Sequence, residues 1–174
     1  MTRELTTLFA ERAGDYRAGV HHCAPAELPD LLATLLAGAS GVVLPAGVPP
    51  DWTTRLGPPT LAGDTLTAGQ LDAPGLAVLT GCALAVAETG TLVLDGGAAQ
   101  GRRLLTLIPD HHVCVVRAAQ IVADVPDLVR ALPDPTRPLT LISGPSATSD
   151  IELSRVEGVH GPRRLDIVCL PPAG

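Results

Sequence analysis

The sequence predicts an α/β domain of three layers, with helices on both faces of a largely parallel sheet. Three observations predict it. Apolar runs of strand length are near-continuous instead of alternating, as at Leu76-Ala77-Val78-Leu79 and Val113-Cys114-Val115-Val116; that is the pattern of strands covered on both faces. Helical and strand-like segments follow one another with short joints. Hydrophobic residues make up 46% of the chain but aromatic residues only 2%, so the core is built from Leu, Val, Ala and Ile, which suits strands packed under small helices. At 174 residues the chain supports one well-buried core and is short for two ordinary domains. We read one domain over 1–174, with 1–25 as an N-terminal helical segment packed on it.

The elements follow in order. The first twenty residues predict a helix that ends near Gly14 or Gly19. Leu28, Leu31, Leu32, Leu35 and Leu36 keep the i, i+3, i+4, i+7, i+8 spacing of a buried helical stripe, with Pro29 in the first turn and Gly38 past the end. Gly41-Val42-Val43-Leu44 is a short β-branched strand stopped by Pro45. Residues 45–63 are rich in Pro and Gly and read as loop, with a turn of helix around Trp52. A short helix over Leu66–Leu71 precedes the strand Leu76–Leu79. The apolar block Cys82–Leu94 is interrupted at Glu88-Thr89-Gly90, Gly96-Gly97 opens a loop, and Leu104–Ile108 has room for one helical turn. Val113–Val116 is a buried strand, Val125–Leu132 a helix with Pro126 in its first turn, and Leu139–Ile142 a strand. Ser149–Glu157 reads as a helix closed by Gly158, and Leu165–Leu170 as the last strand.

Composition narrows the function classes. The net charge is −6, and all 12 basic residues are scattered arginines. A nucleic-acid ligand needs a clustered basic face instead. No run approaches the ~18 apolar residues of a membrane span, and the N-terminus lacks a signal-peptide layout, so a cytoplasmic protein is expected. Charged residues are 17%, below the usual quarter, which points to a surface partly covered by another subunit. Cys23, Cys82, Cys114 and Cys169 form no C-x-x-C pair, so neither a zinc ribbon nor iron–sulfur ligands are expected. Cys82, Cys114 and Cys169 sit in apolar stretches and read as small hydrophobes. No metal and no cofactor is expected in this chain.

Two loops place polar groups directly after apolar strands, where ligands bind open parallel sheets. The first is Ile142-Ser143-Gly144-Pro145-Ser146-Ala147-Thr148-Ser149-Asp150-Ile151-Glu152. Free backbone N–H groups at such a turn suit an anion, and Ser146 and Thr148 add hydroxyl donors. Ser149 and Glu152 also have capping-box spacing, and Asp150 offsets the helix dipole; Gly144, Ser146 and Thr148 are not needed for capping. The second loop is Ala85-Val86-Ala87-Glu88-Thr89-Gly90-Thr91. A carboxylate amid apolar residues is costly to bury unpaired and becomes poised for acid–base or nucleophilic work. Equally, Glu88 can cap backbone groups at a bend made by Gly90. Histidines occur as His21-His22, His111-His112 and His160. Neighbours on a strand point to opposite faces, so one of each pair can reach a site. His160 lies in Gly158-Val159-His160-Gly161-Pro162, a tight loop before the last strand. The glycines at 96, 97 and 101 make neither G-x-G-x-x-G nor a P-loop.

Three blocks carry a resemblance: Ala87-Glu88-Thr89-Gly90-Thr91-Leu92-Val93-Leu94, Leu107 to Val116, and Ile142 to Pro162 with its GPS-x-T-x-DIE and GVHGP segments. In order and spacing they resemble the LutC/YkgG family, the LUD-domain proteins of lactate utilisation, over roughly residues 80 to 170. The N-terminal side looks shorter than the helical extension usual in that family. The resemblance implies a fold similar to the NagB/RpiA/CoA-transferase-like group. It also implies a role in oxidising L-lactate to pyruvate together with iron–sulfur partner proteins, but supplies no reaction for this subunit. Site candidates are therefore Glu88 as a catalytic group, and Gly144, Ser146, Thr148, Asp150, Glu152 and His160 as ligand-binding groups. The leading expectation is a component of a lactate-oxidising assembly with an anion-binding crevice at strand ends. The alternative is a free-standing enzyme on a sugar phosphate or acyl thioester that uses Glu88, and a third reading is a ligand sensor without chemistry.

Overall fold

Six strands pair side by side, every neighbouring pair parallel. In spatial order they are β1 (Gly19–His22), β12 (Arg164–Leu170), β7 (His111–Arg117), β4 (Leu76–Thr80), β2 (Gly41–Leu44) and β3 (Thr60–Ala62). The structure is a computed structural model and describes residues 2–148, 156–157 and 161–172. The strands named from apolar runs are all present. β4 is buried along its whole length, and β7 from His112 to Val116, because both faces of the sheet are covered.

Alternation of side chains splits the core in two. Ala77, Leu79, Val113, Val115 and Val168 point to one face, where α2 (Leu28–Leu36) lays down Leu28, Leu32 and Leu36 beside Trp52. Those leucines recur every four residues, so one helical stripe covers the sheet. Cys114, Val116, Ile167 and Cys169 point to the opposite face, against Phe9 and Ala13 of α1 (Thr2–Asp15).

A second sheet shares that face. β5 (Leu84–Val86) and β6 (Thr91–Leu94) form a hairpin, β8 (Ile121–Val122) adds parallel to β5, and β9 (Thr140–Ile142) adds antiparallel to β6. Ala85, Leu92 and Leu94 face the core under α1, while Val86 and Val93 pack under Leu128 of α4 (Val125–Ala131). The Asp124 carboxylate caps α4 by accepting from the Asp127 amide at 2.8 Å. The interruption at residues 88–90 is thus a hairpin turn, and Leu139–Ile142 belongs to this sheet and not to the parallel one.

Sequence and structure part at three places. Gly19–His22 and Thr60–Ala62 are edge strands of the parallel sheet; half-exposed and polar, they carry no apolar run. Val156–Glu157 is a strand, β11, antiparallel to β10 (Ala147–Thr148). The helix predicted over Ser149–Glu157 therefore does not reach its predicted end, where a two-stranded ladder satisfies the backbone instead. The remainder of that predicted helix, with Ser149, Asp150, Glu152 and Gly158, lies outside the described residues, as does His160. Among the described residues no helix is long and apolar enough to cross a membrane.

From β2 the chain steps outward to β3, returns past β2 to β4, and continues to β7 and β12. The winding direction reverses between β2 and β4, and a crevice at the carboxyl ends of the strands is expected there.

Candidate functional site

A crevice of about 690 Å³ opens on the β2 side of that reversal, lined by Ala46 beyond β2, Asp64 beyond β3 and the segments that follow β6 and precede β9. Its floor is the 95–102 loop, which ties both strand ends together. The Ala99 amide donates to the Ala46 carbonyl beyond β2, and the Gly81 amide beyond β4 donates to the Ala99 carbonyl, both at 2.8 Å. Gly96, Ala99 and Gly101 all have positive φ (73°, 62° and 69°). Gly101 must be glycine twice over, since a Cβ there would stand 2.6 Å from Pro45 Cβ. The alanine at 99 takes a backbone conformation that costs a side chain about 1 kcal/mol or more, and its two hydrogen bonds hold it there.

Three of the chain's 12 arginines line this crevice: Arg102, Arg103 and Arg137. Arg102 Nη2 donates to the Gly63 and Leu66 carbonyls at 2.8 and 2.6 Å, which pins the segment after β3. Arg137 Nη1 stands 3.4 Å from Asp95 Oδ2, and Asp95 is held in turn by the Gly97 amide at 3.0 Å. Arg103 is exposed and forms no ion pair among the described residues. Gln100 is only 5% exposed. Its Oε1 accepts from the Asp95 amide at 2.7 Å, while its Nε2 has no acceptor among the described residues. The Arg103 guanidinium and the Gln100 amide N–H groups are thus both uncommitted donors lining the crevice.

The sequence candidates sit at the opposite end of the second sheet. Glu88 lies in the β5–β6 turn and is exposed, so it is not the buried carboxylate that its apolar neighbours suggested; the turn lifts its side chain out while its amide donates to the Ala123 carbonyl at 3.0 Å. The structure does bring the two predicted loops together, through Thr91 Oγ1 and Ser143 Oγ at 2.8 Å, with Thr89 Oγ1 2.8 Å from Thr91 Oγ1. Gly144 is buried with φ 77°, and a Cβ would meet the Tyr16 carbonyl at 2.3 Å. Gly90 is the same case against the Ala13 amide at 2.3 Å. Both glycines thus let the carboxyl end of α1 approach the second sheet. The Ser146 amide donates to the Pro162 carbonyl at 2.8 Å, and Thr148 closes β10. Asp150, Glu152 and His160 lie outside the described residues. Thr91 and Leu94 bound β6, so these loops stand roughly 10 Å from the crevice at about 3.3 Å per residue.

Sequence reasoning missed two polar clusters. At the amino ends of β1, β7 and β12, the buried Asp166 carboxylate receives His21 Nε2 at 2.8 Å, His111 Nε2 at 2.7 Å and Arg164 Nε at 2.6 Å. Burial pushes its pKa up, but hydrogen bonds from His111 and His21 and the Arg164 charge outweigh that, leaving it well below the usual carboxylate range. The signal for it was the pair of adjacent histidines: His21 and His111 turn to Asp166, and His112 turns the other way. There His112 Nε2 meets Thr80 Oγ1 at 2.8 Å, fully buried, and Nδ1 has no hydrogen-bond partner among the described residues. Beside it lie the buried thiols of Cys82 and Cys114, whose mutual interaction pushes the Cys82 thiol up and lowers that of Cys114. Among the described residues no group of three His, Cys, Asp or Glu side chains is placed to hold a metal.

Comparison with known proteins fits this architecture. Residues 75–170 match the family model of the LUD domain. A lactate utilization protein C from Deinococcus radiodurans is 51% identical over 169 residues, covering 95% of this chain and 79% of that protein. YkgG of Escherichia coli is 38% identical over 82 residues, 43% of this chain and 35% of that one. A lactate utilization protein C from Halalkalibacterium halodurans is 34% identical over 86 residues, 45% and 37% respectively, so the match spans little more than a third of these two relatives. The crystal structure of a DUF162 family protein from Deinococcus radiodurans superposes with a TM-score of 0.84 at 44% identity, over 98% of each chain. By its matched segment, its near full-length relative and its fold, the chain belongs to the LUD-domain family, in the LutC/YkgG group.

Proposed function

We propose that this chain is a component of an L-lactate utilisation system, acting in the cytoplasm beside iron–sulfur partner proteins while L-lactate is oxidised to pyruvate. Its own contribution in this reading is to hold an anionic ligand in the crevice beyond β2 and β3. One observation carries that assignment: Arg103 and the Gln100 amide, both without a protein acceptor among the described residues, line a crevice beyond the carboxyl end of β2. The system itself is supported by the relatives named for lactate utilization, one of them 51% identical over most of this chain. Partners with clusters are supported by the family resemblance and by cysteines at 23, 82, 114 and 169 without cluster-ligand spacing. In this reading the electrons of lactate pass through other chains.

A deletion strain complemented with wild type, Arg103→Ala or Glu88→Gln tests the assignment. Deletion is expected to abolish growth on L-lactate and spare growth on glucose. Arg103→Ala should rescue poorly and Glu88→Gln fully. Normal growth of the deletion strain on L-lactate would sink the reading. Affinity capture from lactate-grown cells is expected to recover iron–sulfur proteins in stoichiometric amount.

A further inference from the structure

The crevice carries an acceptor that an anionic ligand alone does not use. Its charged lining residues are Asp64, Asp95, Arg102, Arg103 and Arg137. Three of them are committed within the fold. Arg102 donates to the Gly63 and Leu66 carbonyls. Arg137 lies 3.4 Å from Asp95 and 4.0 Å from Asp134, and Asp95 also accepts from the Gly97 amide. Arg103 and Asp64 remain, both exposed and both without a side-chain hydrogen bond or ion pair among the described residues.

These two sit on segments that Arg102 ties together, since its side chain reaches the carbonyls on either side of Asp64 while Arg103 follows it in the chain. Opposite charges on one crevice attract, yet no ion pair joins them. Gln100 is the buried member of the set, 5% exposed, with Oε1 taken by the Asp95 amide and Nε2 uncommitted. The lining thus offers a cation, an amide donor and a carboxylate acceptor together. A plain carboxylate uses the first two and is repelled by the third. An acid that also bears a hydroxyl uses all three: its carboxylate accepts from Arg103 and Gln100, and its hydroxyl donates to Asp64. An oxo acid does not, because its second oxygen only accepts and would face the Asp64 oxygens unpaired.

We propose that Asp64 makes the crevice selective for hydroxy acids over oxo acids, so that L-lactate is held and pyruvate is refused. The proposal deepens the anion-binding reading given above and rests on it. Three arginines against two aspartates leave the lining net positive, so a ligand carboxylate is attracted even with Asp64 ionised. A sealed site built to pair a hydroxyl rejects the analogue lacking it by about 10⁴-fold. Asp64 is exposed and water competes for it, so about tenfold is expected here. Such a crevice retains the reduced acid and lets the oxidised one go.

Calorimetric titration of the full chain with L-lactate and with pyruvate, at neutral pH and one ionic strength, tests it. Wild type should bind L-lactate about tenfold more tightly than pyruvate. Asp64→Asn should bring the two affinities to within about twofold, because its amide can donate to the oxo oxygen that the carboxylate repels. Arg103→Ala should weaken both acids by about tenfold and leave their ratio unchanged. Thermal unfolding of both variants without ligand should match wild type, since neither side chain holds another in the fold. Equal binding of the two acids by wild type, tighter binding of pyruvate, or a lactate preference that survives Asp64→Asn would overturn the selectivity and leave the anion crevice standing. Binding of neither acid would overturn the crevice as well, while growth of the deletion strain still decides the lactate role.

Discussion

Gly144 and Asp166 show how much single residues carry here. A methyl group at Gly144 meets the Tyr16 carbonyl at 2.3 Å while the backbone holds φ 77°, so strain and clash add. Gly144→Ala is expected to destabilise by about 2 kcal/mol or more. Gly57→Ala, with open space and an ordinary φ, should be within about 0.5 kcal/mol of wild type in the same urea titration. Asp166 makes a pH prediction. Its folded pKa is depressed by His111, His21 and Arg164, so its stabilisation is complete above the unfolded value near 3.9 and is lost as pH falls below it. Wild type should therefore lose stability more steeply than Asp166→Asn below about pH 4, read as unfolding midpoint against pH. Parallel slopes would rule this out. The adjacent histidines marked one side of this cluster in the sequence, but not the carboxylate they meet. His111 and Asp166 are 55 residues apart, and only the β7–β12 register makes them neighbours.

At the level of elements, legibility followed burial. α2, β2, β4, β7 and β12 announce themselves because continuous or four-spaced apolar residues have no other place to go. β1 and β3 are short edge strands, and nothing in GVHH or TLA outweighs their polar surroundings. The Cys82–Leu94 block contained β5 and β6, two of the four strands of the second sheet, but its apolar pattern does not say which sheet they join. Glu88 misled for the same reason: its neighbours Ala87 and Gly90 are buried, yet the turn projects the residue between them. The candidate loops were placed at a hydroxyl-rich turn, whereas the crevice depends on a glycine loop whose residues look like filler until folded. Helix α1 offers a direct test of packing. Phe9 is fully buried, and Phe9→Ala should cost about 3–5 kcal/mol in denaturant unfolding. A cost near zero would mean that α1 does not hold the face it covers.

For the whole molecule, the covered sheet, the reversal between β2 and β4 and the crevice above it form one argument. In the proposed reading, strand order sets where a ligand sits, and Gln100 and Arg103 supply the donors. Growth on L-lactate is expected to survive Glu88→Gln and to fail with Arg103→Ala, since the first removes an exposed turn carboxylate and the second a free cation of the crevice. If both variants grow alike, the crevice has no part in lactate utilisation.

β12 lies between β1 and β7, with consequences for how the chain is made. Synthesis delivers β1 first and its only neighbour last, so the opening strand waits through nearly the entire translation for a partner. Until Arg164–Leu170 leave the ribosome, β7 presents an open ladder edge and Asp166 is absent from between its histidines. Such an edge invites wrong pairing, and closing so long a loop is slow. Emergence of β12, not of the first half of the chain, is thus the moment at which this domain acquires its native sheet. A ribosome-stalled chain ending before Arg164 should remain sensitive to protease throughout β1, and extension past Leu170 and the exit tunnel should confer protection in a single step.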